Sequence, residues 1–60
     1  MTKYEVEQSL DHVEALLKEI SAALQSRPEA KLQDLGKRAY SAASDTARAK
    51  STIHSYWDER

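Results

Sequence analysis

The stretch that decides the fold is residues 6–24, VEQSLDHVEALLKEISAAL. Its apolar side chains recur at alternating steps of four and three residues, and they are Val6, Leu10, Val13, Leu17, Ile20 and Leu24. This spacing is typical of an α-helix that packs along one stripe against another helix. The charged residues of this stretch, Glu7, Asp11, Glu14, Lys18 and Glu19, all lie off this stripe, where we expect them to be solvated.

A second stretch, residues 32–56, repeats the pattern with smaller side chains. Its apolar positions also follow steps of three and four, and they include Leu32, Leu35, Ala39, Ala42, Ala49, Ile53 and Tyr56. Gly36 and Ala43 stand beside this stripe, and small residues let a neighbouring helix approach closely. Thr46 is the polar residue within the stripe, and we expect it to set the register of the pairing.

Helix boundaries are marked by two predicted capping boxes around a single proline. Thr2 with Glu5 predicts the start of a helix over about residues 3–25, and Ser26 with Glu29 predicts a second helix over about 27–58. Pro28 would then lie in the first turn of the second helix, where its missing N–H is tolerated. One long helix kinked at the proline is the alternative, but the cap at the break favours a hairpin.

Size and composition place this chain among small all-α interaction proteins. With 60 residues, one glycine, one proline and no cysteine, it is near the lower limit for a self-sufficient core. We therefore predict a single-domain antiparallel helical hairpin, 1–60, that dimerises into a four-helix bundle. The longer second helix is expected to overhang and to present Ile53, Tyr56 and Trp57. The interface is expected to comprise these three residues and the two stripes, without Thr46.

Enzymatic, metal and membrane-spanning roles find no support in the sequence. We expect no catalytic residues, no cofactor, no metal and no small-molecule substrate, because a two-helix chain offers no deep pocket. His54 and Asp58 share a helix face at four-residue spacing, which is more simply a solvated pair than half a metal site. No run of 18 apolar residues exists for a membrane span. The absence of cysteine fits a reducing, cytoplasmic location.

Charge is divided unequally between the two helices. Residues 1–25 carry a net charge of −3 and residues 26–60 a net charge of +2. The basic residues Lys37, Arg38, Arg48 and Lys50 are candidates for contact with an acidic protein or RNA, although a solvated helix face explains them more simply.

The order of features resembles the soluble part of the ElaB/YqjD family of small bacterial proteins. The resemblance lies in the helix from Val6 to Leu24 and in residues 35–39 (LGKRA), 47–50 (ARAK) and 54–57 (HSYW). It implies ribosome association, here through the basic residues, and a peripheral position at the inner membrane if a C-terminal anchor follows. The family's glycine-rich anchor and Glu-x-Pro-Trp sequence are not found in these residues.

The function expected from these observations is binding. We predict a self-associating helical module that binds or regulates another macromolecule, with the ribosome as one candidate. The alternative is a dedicated chaperone- or inhibitor-type partner of one protein, anchored by the Ile53, Tyr56 and Trp57 end.

Overall fold

The chain folds into an antiparallel helical hairpin. The computed structural model describes residues 1–58, with α1 at Lys3–Gln25 and α2 at Ala30–Tyr56. The two helices pack against each other along their length, and the molecule measures 50 × 15 × 11 Å. The hairpin is therefore confirmed over a single kinked helix.

The start of α1 is fixed by the predicted capping box. Thr2 Oγ1 accepts a hydrogen bond from the Glu5 amide at 3.1 Å, and Glu5 Oε1 accepts one from the Thr2 amide at 3.2 Å. These reciprocal bonds satisfy amide donors that have no partner within the helix. The prediction for this helix is confirmed at both ends.

The second capping box is wrong. Ser26 caps the C-terminus of α1, where its hydroxyl donates to the Ala23 carbonyl oxygen at 2.7 Å. Glu29 is the N-cap of α2 but makes no side-chain capping bond, and its carboxylate pairs with Arg27 Nε at 3.2 Å. Pro28 consequently lies in the loop.

α2 is shorter than predicted and does not overhang α1. It begins at Ala30 and ends at Tyr56, where we had expected residues 27 and 58. Near its C-terminus Lys50 contacts Asp11, and the His54 carbonyl accepts a hydrogen bond from Lys3 at 3.4 Å. The last turns of α2 therefore lie beside the first turns of α1. The expected overhang of several residues is wrong, because α2 is shorter than predicted and, with 27 residues, exceeds the 23 of α1 by only four.

The closest approach of the two helices is built from small residues. Among the described residues, Ser21, Gly36 and Ala43 are the buried ones. The Ser21 hydroxyl donates to the Gly36 carbonyl oxygen at 2.7 Å, and Gln25 Nε2 donates to the Ser21 hydroxyl at 2.8 Å. A Cβ atom at Gly36 would lie 3.0 Å from the Ser21 carbonyl oxygen. Glycine is favoured at this point because a larger side chain would crowd the backbone of α1.

Ser21 therefore carries the interhelical polar contact that we had expected of Thr46. The Thr46 hydroxyl instead donates to the Ala42 carbonyl oxygen of its own helix at 2.8 Å. Such a bond back to the preceding turn is common for threonine in helices. The hydrogen bond from the Ser21 hydroxyl to the Gly36 carbonyl fixes the axial register of α1 against α2.

Candidate interaction surface

The line of contact between the helices takes in only part of each predicted stripe. Leu10, Leu17 and Leu24 of α1 lie along it and are partly buried, as are Leu32, Ala39 and Ile53 of α2. The contact extends from the leucines of α1 towards Glu7, Glu14 and Ser21, and not towards the other apolar residues. On α2 the contact extends from Leu32, Ala39 and Ile53 towards Gly36, Ala43 and Lys50.

The remaining apolar positions lie together on one side of the hairpin. At about 100° per residue, Val13 and Ile20 are roughly 50° around α1 from Leu10 and Leu17. Leu35, Ala42 and Ala49 are offset from the contact line of α2 by the same angle in the same sense. Because the helices are antiparallel, equal offsets bring both sets to the same side. We call this surface the apolar face: Val6, Val13, Leu16, Ile20, Leu35, Ala42, Ala49 and Tyr56.

Large side chains of the apolar face are substantially exposed. Val13 and Leu16 are 42% exposed, Ile20 is 47% exposed and Leu35 is 48% exposed. Single exposed apolar residues are ordinary, but a contiguous group of them marks an interaction surface.

The opposite side of the hairpin is a polar groove, lined by Glu7, Asp11, Glu14, Lys50 and His54. Lys50 Nζ pairs with Asp11 Oδ1, and His54 Nδ1 lies 3.9 Å from Glu7 Oε1. The Asp11 hydrogen bond, with the nearby acidic charges, raises the pKa of Lys50 above its usual 10.5. Because these contacts join α1 to α2, the polar groove lies between the helices on the side opposite the apolar face.

The C-terminal aromatic residues are accessible. Tyr56 is 84% exposed and Trp57 is 38% exposed, whereas Ile53 is partly buried against α1. Of the three residues expected to form an anchor at this end, the structure leaves the two aromatic ones available to a partner.

The four candidate basic residues do not form one patch. Lys37 and Arg48 lie on the outer surface of α2, and Arg38 lies where that surface meets the apolar face; all three are exposed. Arg48 pairs with Asp45 one turn away. Lys50 lies in the polar groove on its contact with Asp11. An acidic partner on the outer surface would therefore meet three of the four.

The described residues contain no group of three metal-binding side chains. His54, which we had considered with Asp58, lies with its Nδ1 atom 3.9 Å from Glu7 Oε1 of α1. Neither α1 nor α2 is long and apolar enough to cross a bilayer.

Two residues of the surface and its support were not among the predicted interface positions. Leu16 is as exposed as Val13, and Ser21 is the most buried polar residue of the described chain. The available signal for Ser21 was its place on a second heptad line, with Glu7 and Glu14, on the flank of the leucine stripe.

Comparison of the chain with protein-family models, with curated proteins and with solved structures gave no match. The geometry of the hairpin is therefore what bears on the function of the chain.

Proposed function

We propose that this chain is a non-enzymatic helical interaction module that self-associates through its apolar face into a four-helix bundle. The observation that carries the proposal is the joint exposure of Val13, Leu16, Ile20 and Leu35 on one side of the hairpin. A second hairpin packed on this side would complete a bundle core that two helices cannot close.

The extent of exposed surface supports association. The chain exposes 4632 Å², whereas a compact protein of this mass exposes roughly 4,000 Å² by the usual size scaling. The excess arises from the elongated shape, 50 Å by 15 Å by 11 Å. A partner that covers one long side removes it.

The test compares Ile20→Glu with Ala22→Glu by analytical ultracentrifugation. Both variants add one negative charge to α1, but Ala22 lies on the outer side of the helix. We expect Ile20→Glu to weaken dimerisation by about 100-fold or more, since a buried unpaired charge costs several kcal/mol. Ala22→Glu should dimerise like the parent chain. A parent chain that stays fully helical and monomeric up to about 0.5 mM would refute the proposal.

A second candidate function is supported by the exposed aromatic end. A dedicated protein partner would take Tyr56 and Trp57 as its anchor, because such residues dominate many binding interfaces. The test is a tagged pull-down from native lysate with the double variant Tyr56→Ala/Trp57→Ala. Tyr40→Ala is the matched control, since Tyr40 is 55% exposed elsewhere on α2. Loss of one dominant protein in the double variant alone supports this function.

The ElaB/YqjD resemblance suggests the ribosome as the macromolecular partner. Lys37, Arg38 and Arg48 supply the accessible positive charge for it. The same pull-down would then be dominated by ribosomal proteins, and purified ribosomes would bind with an affinity that falls steeply with salt. Binding that is absent or insensitive to salt contradicts this role.

A further inference from the structure

We infer that the second copy of this chain packs with its loop at the same end of the bundle, so that α1 of each copy lies on α2 of the other. This inference depends on the self-association proposed above and adds which helices meet. The apolar face alone allows a second arrangement, with loops at opposite ends and like helices in contact. Side-chain size and charge separate the two.

Side-chain size favours contact between unlike helices. On α1 the apolar face is formed by large residues, Val13, Leu16 and Ile20, whereas on α2 its middle is formed by Ala42 and Ala49, with Leu35 and Tyr56 confined to its two ends. Large side chains opposite small ones fill the space between helices evenly. Contact between like helices would place large residues against large ones and alanine against alanine. The two α1 helices would then be held too far apart, and the space between the two α2 helices would be underfilled.

The two-fold axis of this arrangement runs parallel to the helices. A rotation about such an axis does not shift any residue along the bundle. Residues of α1 and α2 that are level within one hairpin are therefore also level between the two copies. Ser21 lies level with Gly36 within one hairpin, as their hydrogen bond shows. Glu19, two residues before Ser21, is therefore level with Arg38, two residues after Gly36. By the same relation, one heptad further along, His12 is level with Asp45.

Charge on the two edges of the apolar face agrees with these heights. Glu19 and His12 lie on the α1 edge, Arg38 and Asp45 lie on the α2 edge, and all four are exposed. Within the residues the structure describes, Glu19 and Arg38 form no ion pair. Unlike-helix contact pairs Glu19 with Arg38 of the other copy and brings His12 near Asp45, which also pairs with Arg48 of its own helix. With loops at opposite ends, Glu19 and Arg38 of the two copies would lie far apart, and this ion pair could not form.

Exposed ion pairs contribute little affinity, but they discriminate between arrangements of similar packing quality. Here they and the size pattern select the same arrangement, and each is independent of the other. The occupant of the apolar face is therefore a second copy, with Glu19 opposite Arg38.

The experiment measures distances between spin labels in the self-associated chain. The protein has no cysteine, so Arg27→Cys in the loop gives one label per copy, and Ser55→Cys gives an independent label at the other end. With loops at the same end, both variants should give label separations of about 15–30 Å, since neighbouring helix axes lie about 10 Å apart. With loops at opposite ends, the Arg27→Cys labels would be separated by nearly the 50 Å length of the molecule.

The outcomes separate this inference from the proposed function. Short distances at both sites support it. A long distance between loop labels overturns the arrangement while leaving self-association intact. A monomer in the ultracentrifuge, with no distance between labels, refutes both.

A charge exchange tests the predicted pair directly. Glu19→Arg should weaken dimerisation by about 2- to 10-fold, and Glu19→Arg/Arg38→Glu should recover most of that loss. The pairing is contradicted if the double variant loses as much dimerisation free energy as Glu19→Arg and Arg38→Glu lose together.

Discussion

Gly36→Ala tests whether the two backbones meet where the structure places them. A methyl group at this position would lie 2.6 Å from Gln25 Cγ, 3.0 Å from the Ser21 carbonyl oxygen and 3.2 Å from the Gln25 backbone nitrogen. The Gln25 side chain can move aside, but the two backbone atoms belong to α1 and move only if the helices separate. Separation also lengthens the hydrogen bond from the Ser21 hydroxyl.

Three contributions determine the change in the free energy of unfolding. Alanine is intrinsically about 1 kcal/mol better than glycine inside a helix. Overpacking costs about 1–3 kcal/mol, and weakening the interhelical hydrogen bond costs about 1 kcal/mol. The two unfavourable contributions exceed the favourable one, so we expect a net destabilisation of about 1–3 kcal/mol. For a domain of this size the melting temperature should fall by roughly 5–25 °C.

Circular dichroism during urea and thermal unfolding measures this change, with all variants at one concentration. The pair Ser44→Gly and Ser44→Ala, at an exposed position of the same helix, calibrates the intrinsic difference between glycine and alanine. Gln25→Ala removes the side-chain clash but also a hydrogen bond to Ser21. The double variant Gln25→Ala/Gly36→Ala should therefore be compared with Gln25→Ala, and it should be the less stable of the two because the backbone contacts persist. If Gly36→Ala stabilises the chain as much as Ser44→Ala does relative to Ser44→Gly, the helices do not touch at this point.

Three further predictions concern polar contacts of the hairpin. Ser21→Ala should lower the free energy of unfolding by about 1–2 kcal/mol, because it removes the hydroxyl that donates to the Gly36 carbonyl and accepts from Gln25 Nε2; urea unfolding that matches the parent chain would contradict this. The raised pKa of Lys50 in the folded state means that its pair with Asp11 stabilises the fold below the unfolded pKa of 10.5, and that this contribution is lost as pH rises through the folded value. The stability difference between the parent chain and Asp11→Asn should therefore shrink above pH 10.5, and a difference independent of pH there would refute the assignment. Thr2→Ala should cost about 1 kcal/mol through loss of the α1 cap, and it should accelerate amide hydrogen exchange in the first turn of α1 but leave the first turn of α2 unchanged.

The hairpin itself was predictable because its determinants are local. The two heptad patterns, the Thr2 capping box and the single proline each act within a few residues of sequence. The second box failed because a serine between two helices can cap either one. Ser26 lies within reach of the last carbonyls of α1, and it satisfies those rather than the amides of α2.

Which flank of each apolar stripe the partner helix covers was not predictable from periodicity. The stripe of valine, leucine and isoleucine on α1 is narrow enough for a single neighbouring helix to cover. Periodicity alone therefore places the partner helix over the centre of the stripe rather than over one flank. The helices meet where Ser21, Gly36 and Ala43 allow close approach, so Val13, Ile20 and Leu35 remain half exposed. Hydropathy ranks serine and glycine low as contact residues, although their small volume brings them to the interface.

The scarcity of buried residues has a consequence for how this chain tolerates substitution. Of the residues that the structure describes, only Ser21, Gly36 and Ala43 are buried in a single hairpin. A comprehensive mutational scan of an isolated hairpin would show sensitivity concentrated at those positions and at the helix caps. If a second copy covers the apolar face, Val13, Ile20 and Leu35 become sensitive as well. The map of tolerated amino acids would thus record the assembly state selected in the cell, without purification of the protein.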